Sequence, residues 1–183
     1  MRYCITLIVM MLLCGRAGAQ HSARASKSTV PYKLADTPKI GDPYYFAQPK
    51  DSLVQDKIVV FAKTLIGTTY KFGCSSPSMG FDCSGFINYV FGHFNITVPR
   101  SSVDFTHEGD PVDLDDARPG DLILFTGTDS HIRTVGHIGI IVSNDSLGTT
   151  FIHSSSGSEF SVTVTALNDY YKGRFVTVRR MIK

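Results

Sequence analysis

Three side chains in this chain could perform nucleophilic chemistry together: Cys83, His137 and His153. Cys83 lies within Phe81-Asp82-Cys83-Ser84-Gly85-Phe86, after a Gly/Ser/Pro-rich turn over 73–80. Beyond it Phe86, Tyr89, Val90 and Phe94 recur at helical spacing. The cysteine therefore opens a helix, where unpaired backbone N–H groups and the helix dipole favour a thiolate. A cysteine so placed is a nucleophile if a histidine reaches it, and a small buried structural residue if none does.

Of the six histidines, His21, His93, His107 and His131 fall in a tether, late on a helix or in irregular stretches, and read as surface or locally bonded residues. His137 opens one apolar strand and His153 closes the next, and antiparallel pairing brings such positions to one sheet end. A thiol needs a base within about 3 Å. His137 is that candidate, and His153 could accept its ring N–H and fix its tautomer. The orienting imidazole must stay neutral, so activity should fall at acid pH. Two other readings stay open: strand-end histidines facing water, and a zinc site from Cys74, Cys83, His137 and His153. Against zinc stands the lack of any C-x-x-C or H-x-x-x-H spacing, so no metal and no cofactor is expected.

The elements that must position these groups follow in order. Asp51 or Ser52 caps a helix with an apolar stripe of Val54, Ile58, Phe61, Ala62 and Leu65, ended by Gly67. An extended piece over 68–74 enters the turn before Cys83. The Cys83 helix runs to about Phe94, followed by a turn and a short helix through about Glu108. After the turn Arg118-Pro119-Gly120-Asp121 the period changes. Strands are expected over 122–125, 137–142, 149–153, 160–165 and 175–181, with turns at Asn144-Asp145 and Ser156-Gly157. Helices first and strands second predict an α+β fold with a mostly antiparallel sheet of about five strands.

The 183 residues suit one domain plus extras, and a net charge of +2 gives no argument for nucleic acid. Residues 1–19 read as a signal peptide: Arg2, an apolar run over 5–13 too short to span a bilayer, then Ala17-Gly18-Ala19. Lipidation at Cys14 is the rival, and only then would the protein be membrane-anchored; bulky Leu13 counts against it. Either way the protein is exported. Residues 20–50, broken by four prolines and mildly basic, read as a flexible tether. Residues 51–183 form the domain. Cys74 and Cys83 alone remain in it, which is no disulfide framework.

Several motifs in fixed order carry a resemblance: Tyr70-x-Phe72-Gly73; Phe81 to Phe86; Pro99-Arg100-Ser101-Ser102; Arg118 to Phe125; Gly136-His137-Ile138-Gly139-Ile140; Phe151-Ile152-His153-Ser154; and Arg179-Arg180. This resembles the NlpC/P60 family of cell-wall cysteine peptidases, over roughly 52–182. The resemblance implies a papain-like domain, a triad of Cys83, His137 and His153, and peptidoglycan stem peptides or muropeptides as substrate, in the periplasm or cell envelope of a bacterium. The usual cut follows D-glutamate at its γ-linkage to a diamino acid such as diaminopimelate. In such relatives residues like Asp82, Ser84 and Tyr70 help recognise the stem's amino end. A carboxylate can hold an ammonium, and a hydroxyl can add a hydrogen bond; helix capping by Asp82 and Ser84, and core packing of Tyr70, are the plainer readings. Arg100 is a candidate for a stem carboxylate, or else a surface ion pair. Amidase or acyl-transfer chemistry, and a non-catalytic wall-binding module, are the rival functions, and a monomer is expected. The chain departs from the usual aromatic-Gly-Gly at Cys74, which raises the hypothesis of an inactivating Cys74–Cys83 disulfide.

Overall fold

The computed structural model describes residues 50–129 and 131–182, without the side chains of residues 50–52. The expected leader and the tether up to residue 49 lie outside the described residues, and Asp51 and Ser52, expected as caps, fall inside the first turn of the first helix. Helix α1 spans Lys50–Lys63 and α2 spans Cys83–His93. Between them Ser75–Ser76 (β1) and Gly80–Phe81 (β2) form a small antiparallel ribbon. A 3-10 turn over Ser102–His107 leads to β3 (Asp110–Val112). Then come β4 (Leu122–Thr126), β5 (Val135–Asp145), β6 (Gly148–Ser154), β7 (Val162–Ala166), α3 (Asp169–Arg174) and β8 (Phe175–Arg180). The main sheet has six strands, all antiparallel, in the order β3-β8-β4-β5-β6-β7. The expected α+β architecture is therefore present, with one strand more than expected.

Period-two alternation splits the apolar residues between two sheet faces. Leu122, Leu124, Ile138, Ile140 and Ile152 join one cluster with Ile58, Ala62, Phe86, Ile87, Val90 and Phe105, so α1, α2 and the 3-10 turn cover that face. Ile123, Phe125, Ile141, Phe151 and Val178 form the second cluster with Ala117 and Leu167. Tyr171 of α3 packs against this second cluster. Strand β4 is buried at all five residues because both its faces are covered.

Two boundaries differ from expectation for local reasons. Strand β7 starts at Val162, not Phe160, because Phe160 holds a left-handed backbone (φ 45°) that no strand accommodates. Strand β5 runs past Val142 to Asp145, since Ser143, Asn144 and Asp145 keep pairing with β6 across a bulge.

Candidate active site

The pairing of β5 with β6 runs from Asp145↔Gly148 to Ile140↔Ile152 and then stops. Beyond it β6 stays paired with β7, through His153↔Thr163 and Ser154↔Val162. The β5–β6 ladder therefore ends just before His153, at the sheet end that carries His137 and His153. The start of α2 comes to this end: Ser154 Oγ donates to the Phe81 carbonyl at 2.8 Å. Cys83 Sγ approaches the Gly136 carbonyl at 4.0 Å. The sulfur thus lies against the backbone next to His137, as a residue opening α2 at this sheet end would.

Continuing the register puts Gly139 opposite His153. A Cβ on Gly139 would meet the Phe151 ring at 2.7 Å and His153 Cβ at 3.3 Å. Glycine there gives both side chains room to lean across the gap. His137 Nε2 and His153 Nδ1 are 2.8 Å apart, with ring planes at 84°. His153 Nε2 in turn lies 3.0 Å from Thr165 Oγ1. One tautomer set satisfies this chain: His137 Nε2–H donates to His153, His153 Nε2–H donates to the Thr165 hydroxyl, and His137 Nδ1 keeps its lone pair. Thr165 was not singled out from sequence, although alternation places it on the same face of β7 as Thr163, the register partner of His153.

Electrostatics at the thiol differ from the sequence-based expectation. Burial, and then the Asp82 carboxylate, push the Cys83 thiol above its ordinary range. The N–H groups of Ser84, Cys83 and Ile138 act the other way and do not prevail. A helix start favours a thiolate only while the sulfur is solvated. Burial also holds His137 well below the usual imidazole range, helped by His153 and the Arg174 cation. The resting pair is a neutral thiol and a neutral imidazole. Cys83 Sγ makes no hydrogen bond to His137 among the described residues.

Burial, then the Arg174 charge, push His153 down to about 4. Its folded pKa is depressed, so its contribution to stability is complete above the unfolded value of 6.5 and is lost as pH falls toward 4. Urea titrations should show stability level from pH 6.5 to about 8 and falling below pH 6.5, by about 3 kcal/mol down to pH 4 for His153 alone, with His137, also held down by burial, adding to the fall. In His153→Asn that drop should shrink; an unchanged drop would assign the acid sensitivity elsewhere.

The remaining predicted residues surround the thiol. Asp82 is the N-cap of α2: Oδ1 accepts the Gly85 N–H at 2.6 Å, and Oδ2 accepts the Gly73 N–H at 2.8 Å. Arg100 forks onto the same carboxylate, Nη1 to Oδ1 at 3.0 Å and Nη2 to Oδ2 at 2.7 Å, and Nη1 also donates to Ser84 Oγ at 3.1 Å. The plainer readings of Asp82 and Arg100, a cap and an ion pair, are therefore both realised. Tyr70 packs against Phe160 with ring centroids 5.5 Å apart and planes tilted by 57°, and burial together with Cys83 and Asp82 raises its hydroxyl pKa. Cys74 and Cys83 are free thiols. The Cys74 carbonyl accepts the Asp82 N–H at 2.9 Å, which brings the two cysteines to neighbouring chain segments. Gly85 has to be glycine, because a Cβ there would run into that carbonyl.

The sequence profile of the NlpC/P60 family matches residues 67–180. A gamma-DL-glutamyl hydrolase of Bacillus subtilis is 32% identical over 127 residues, 68% of this chain and 29% of that protein. The murein DD-endopeptidase MepH of Escherichia coli is 33% identical over 121 residues, 64% of this chain and 42% of that protein. This chain thus spans well under half the length of either. A crystal structure of an NlpC/P60 family protein from Bacillus cereus superposes with a TM-score of 0.63 at 30% identity, over 70% of this chain and 40% of that one. With its motifs, fold and profile match in agreement, the chain belongs to the NlpC/P60 family.

Proposed function

We propose that this chain is a cysteine endopeptidase of peptidoglycan stem peptides, acting on the D-γ-glutamyl–diaminopimelate bond through a thioacyl-enzyme. The observation that carries this reading is the Cys83 sulfur at the start of α2, against the strand segment whose His137 is bonded to His153. One relative's name, gamma-DL-glutamyl hydrolase, supports a cut beside a γ-linked glutamate; the other, murein DD-endopeptidase, supports hydrolysis of wall peptides and names a different bond.

In this mechanism His137 Nδ1 takes the thiol proton as the sulfur attacks the scissile carbonyl. A neutral resting pair means that the proton moves during attack, not before it. The Cys83 N–H, which no carbonyl within α2 can accept, is available to the oxyanion. His137 then gives its proton to the departing amine, and a water activated by His137 frees the acyl group. His153 and Thr165 hold the imidazole in the tautomer that leaves Nδ1 unprotonated.

Tyr70, Asp82 and Ser84 flank the nucleophile and in this reading meet the stem's amino end. Arg100 and two backbone N–H groups already engage the Asp82 carboxylate. An ammonium arriving there meets a largely neutralised group, so the Tyr70 and Ser84 hydroxyls carry more of its recognition. Export to the bacterial envelope, and action as a monomer, complete the proposal.

Digestion of defined stem peptides followed by mass analysis tests it. The expected product pair is a peptide ending in D-glutamate and one beginning with the free amine of the diamino acid. Release of ammonia, or transfer of the acyl group to an added amine without hydrolysis, would replace this reading with an amidase or an acyltransferase.

A further inference from the structure

Beside His137 lies a cavity of about 460 Å³, lined by the hydroxyl residues Ser155, Thr165 and Tyr170 and by Arg174. Arg174, at the end of α3, is only 7% exposed. Its Nε donates to the Gly127 carbonyl at 2.8 Å, its Nη2 to the Thr126 carbonyl at 2.8 Å and its Nη1 to the Tyr170 hydroxyl at 2.7 Å. The guanidinium lies 4.9 and 5.6 Å from the ring centroids of Tyr170 and Tyr171. None of these partners is an anion. Arg174 forms no ion pair with a described residue, unlike Arg100 with Asp82 and Arg180 with Asp121.

A buried cation without a counter-ion is costly. Its carbonyl partners could be bonded equally well by a neutral amide. They explain how the side chain is held, and not why the group is charged. Three of the five guanidinium N–H donors are engaged, so two remain. We infer that this cavity is a subsite for the departing half of the substrate, in which Arg174 binds a free carboxylate on the residue whose amine leaves.

The side of the substrate follows from the lining. His137 lines the cavity and Cys83 does not. The acyl half stays on the sulfur, while the half that His137 protonates departs, so a chamber reaching the imidazole alone takes the departing half. Glu159 is the one acid in the lining, on the exposed loop after β6. A diamino acid whose side chain ends in both an ammonium and a carboxylate matches Glu159 and Arg174 together. Lysine matches Glu159 alone.

The inference rests on the endopeptidase reading above, and the test separates the two. Three tetrapeptides, L-alanyl-γ-D-glutamyl-X-D-alanine, differ only at X: diaminopimelate, diaminopimelate with its side-chain carboxyl amidated, or lysine. In each the main-chain carboxyl of X is held in a peptide bond. The wild-type protein should cut the first with kcat/KM at least about tenfold above the other two. Arg174→Gln should lose about tenfold more on the first peptide than on the lysine peptide, and Arg174→Lys, which keeps the charge without the fork, should retain part of the preference. A wild-type protein that cuts all three alike overturns the subsite and leaves the endopeptidase reading standing; one that cuts none overturns that reading and the subsite with it. If Arg174→Gln and Arg174→Lys lower all three rates equally, the arginine is only a clamp on Thr126 and Gly127, and the subsite is overturned.

Discussion

Cys83→Ala is expected to lower stem-peptide hydrolysis by at least about 10⁴-fold while leaving the fold in place. The two halves of that expectation have separate causes. The side chain packs against the first apolar cluster, but its sulfur makes a single 4.0 Å polar approach and alanine removes that one atom only, so the stability change should be about 1 kcal/mol. The chemistry has no substitute for the thiol, since no other cysteine or serine shares its place against β5. His137→Ala should lose activity to a similar extent, and the double variant should lose no more than either single one, because nucleophile and base act in one step. The neutral resting state adds a second readout. A thiol raised by burial should react slowly with iodoacetamide at neutral pH and faster as the pH rises past 9, whereas a preformed thiolate–imidazolium pair would react fast and independently of pH. Fast labelling at pH 6 would reverse the order of proton transfer and attack, and undiminished hydrolysis by purified Cys83→Ala would remove the cysteine from the mechanism.

The parts of this site that are legible in sequence are those set by local pattern. Capping chemistry and helical spacing are sufficient to put Cys83 at the start of α2, because Asp82 is a good N-cap and Gly85 the residue the close turn requires. Alternation is sufficient to put His137 and His153 near one sheet end. What pattern could not reveal depends on distant partners. The end of β5–β6 pairing just before His153 leaves no mark in composition. The fall in thiol acidity at a helix start depends on how deeply the sulfur is buried, and the saturation of Asp82 depends on Arg100, eighteen positions away. Arg174 carries no pattern of its own in the sequence; only the carbonyls of Thr126 and Gly127 and the empty space beside it give it meaning. Strand β3 escaped notice because it is three residues long and contains Pro111, tolerable only because it pairs on one side, with β8.

Asp121→Ala is expected to cost about 3–5 kcal/mol, the largest stability loss of any single substitution considered for this domain. The turn Arg118-Pro119-Gly120-Asp121 delivers the chain into β4, and the Asp121 side chain, with no exposed surface, closes that turn by accepting the Arg118 N–H at 2.8 Å. The same carboxylate receives Arg180 Nε at 2.9 Å and Nη2 at 2.7 Å from β8, and Gln55 Nε2 at 3.4 Å from α1. One buried group thus ties the helical layer, the entry to β4 and the last strand. Alanine would strand three sets of donors at once. The Gln55 amide is buried and could not recover water, whereas Arg180, about a fifth exposed, could recover part of its hydration. That partial recovery sets the expected loss nearer the lower end of the range. Asp121→Asn keeps one acceptor oxygen, enough for the Arg118 N–H, but loses the charge and sets an amide NH2 against the Gln55 and Arg180 Nε donors, so it should fall between wild type and alanine. In urea the three proteins should unfold in that order with similar slopes. A domain that typically holds 5–15 kcal/mol has little margin for such a loss. Equal losses for asparagine and alanine would mean that the retained Arg118 bond adds nothing and that the charge and the second oxygen are the whole effect, and a loss under about 1 kcal/mol for alanine would mean that water replaces the carboxylate and that the three elements are held together by their apolar faces alone.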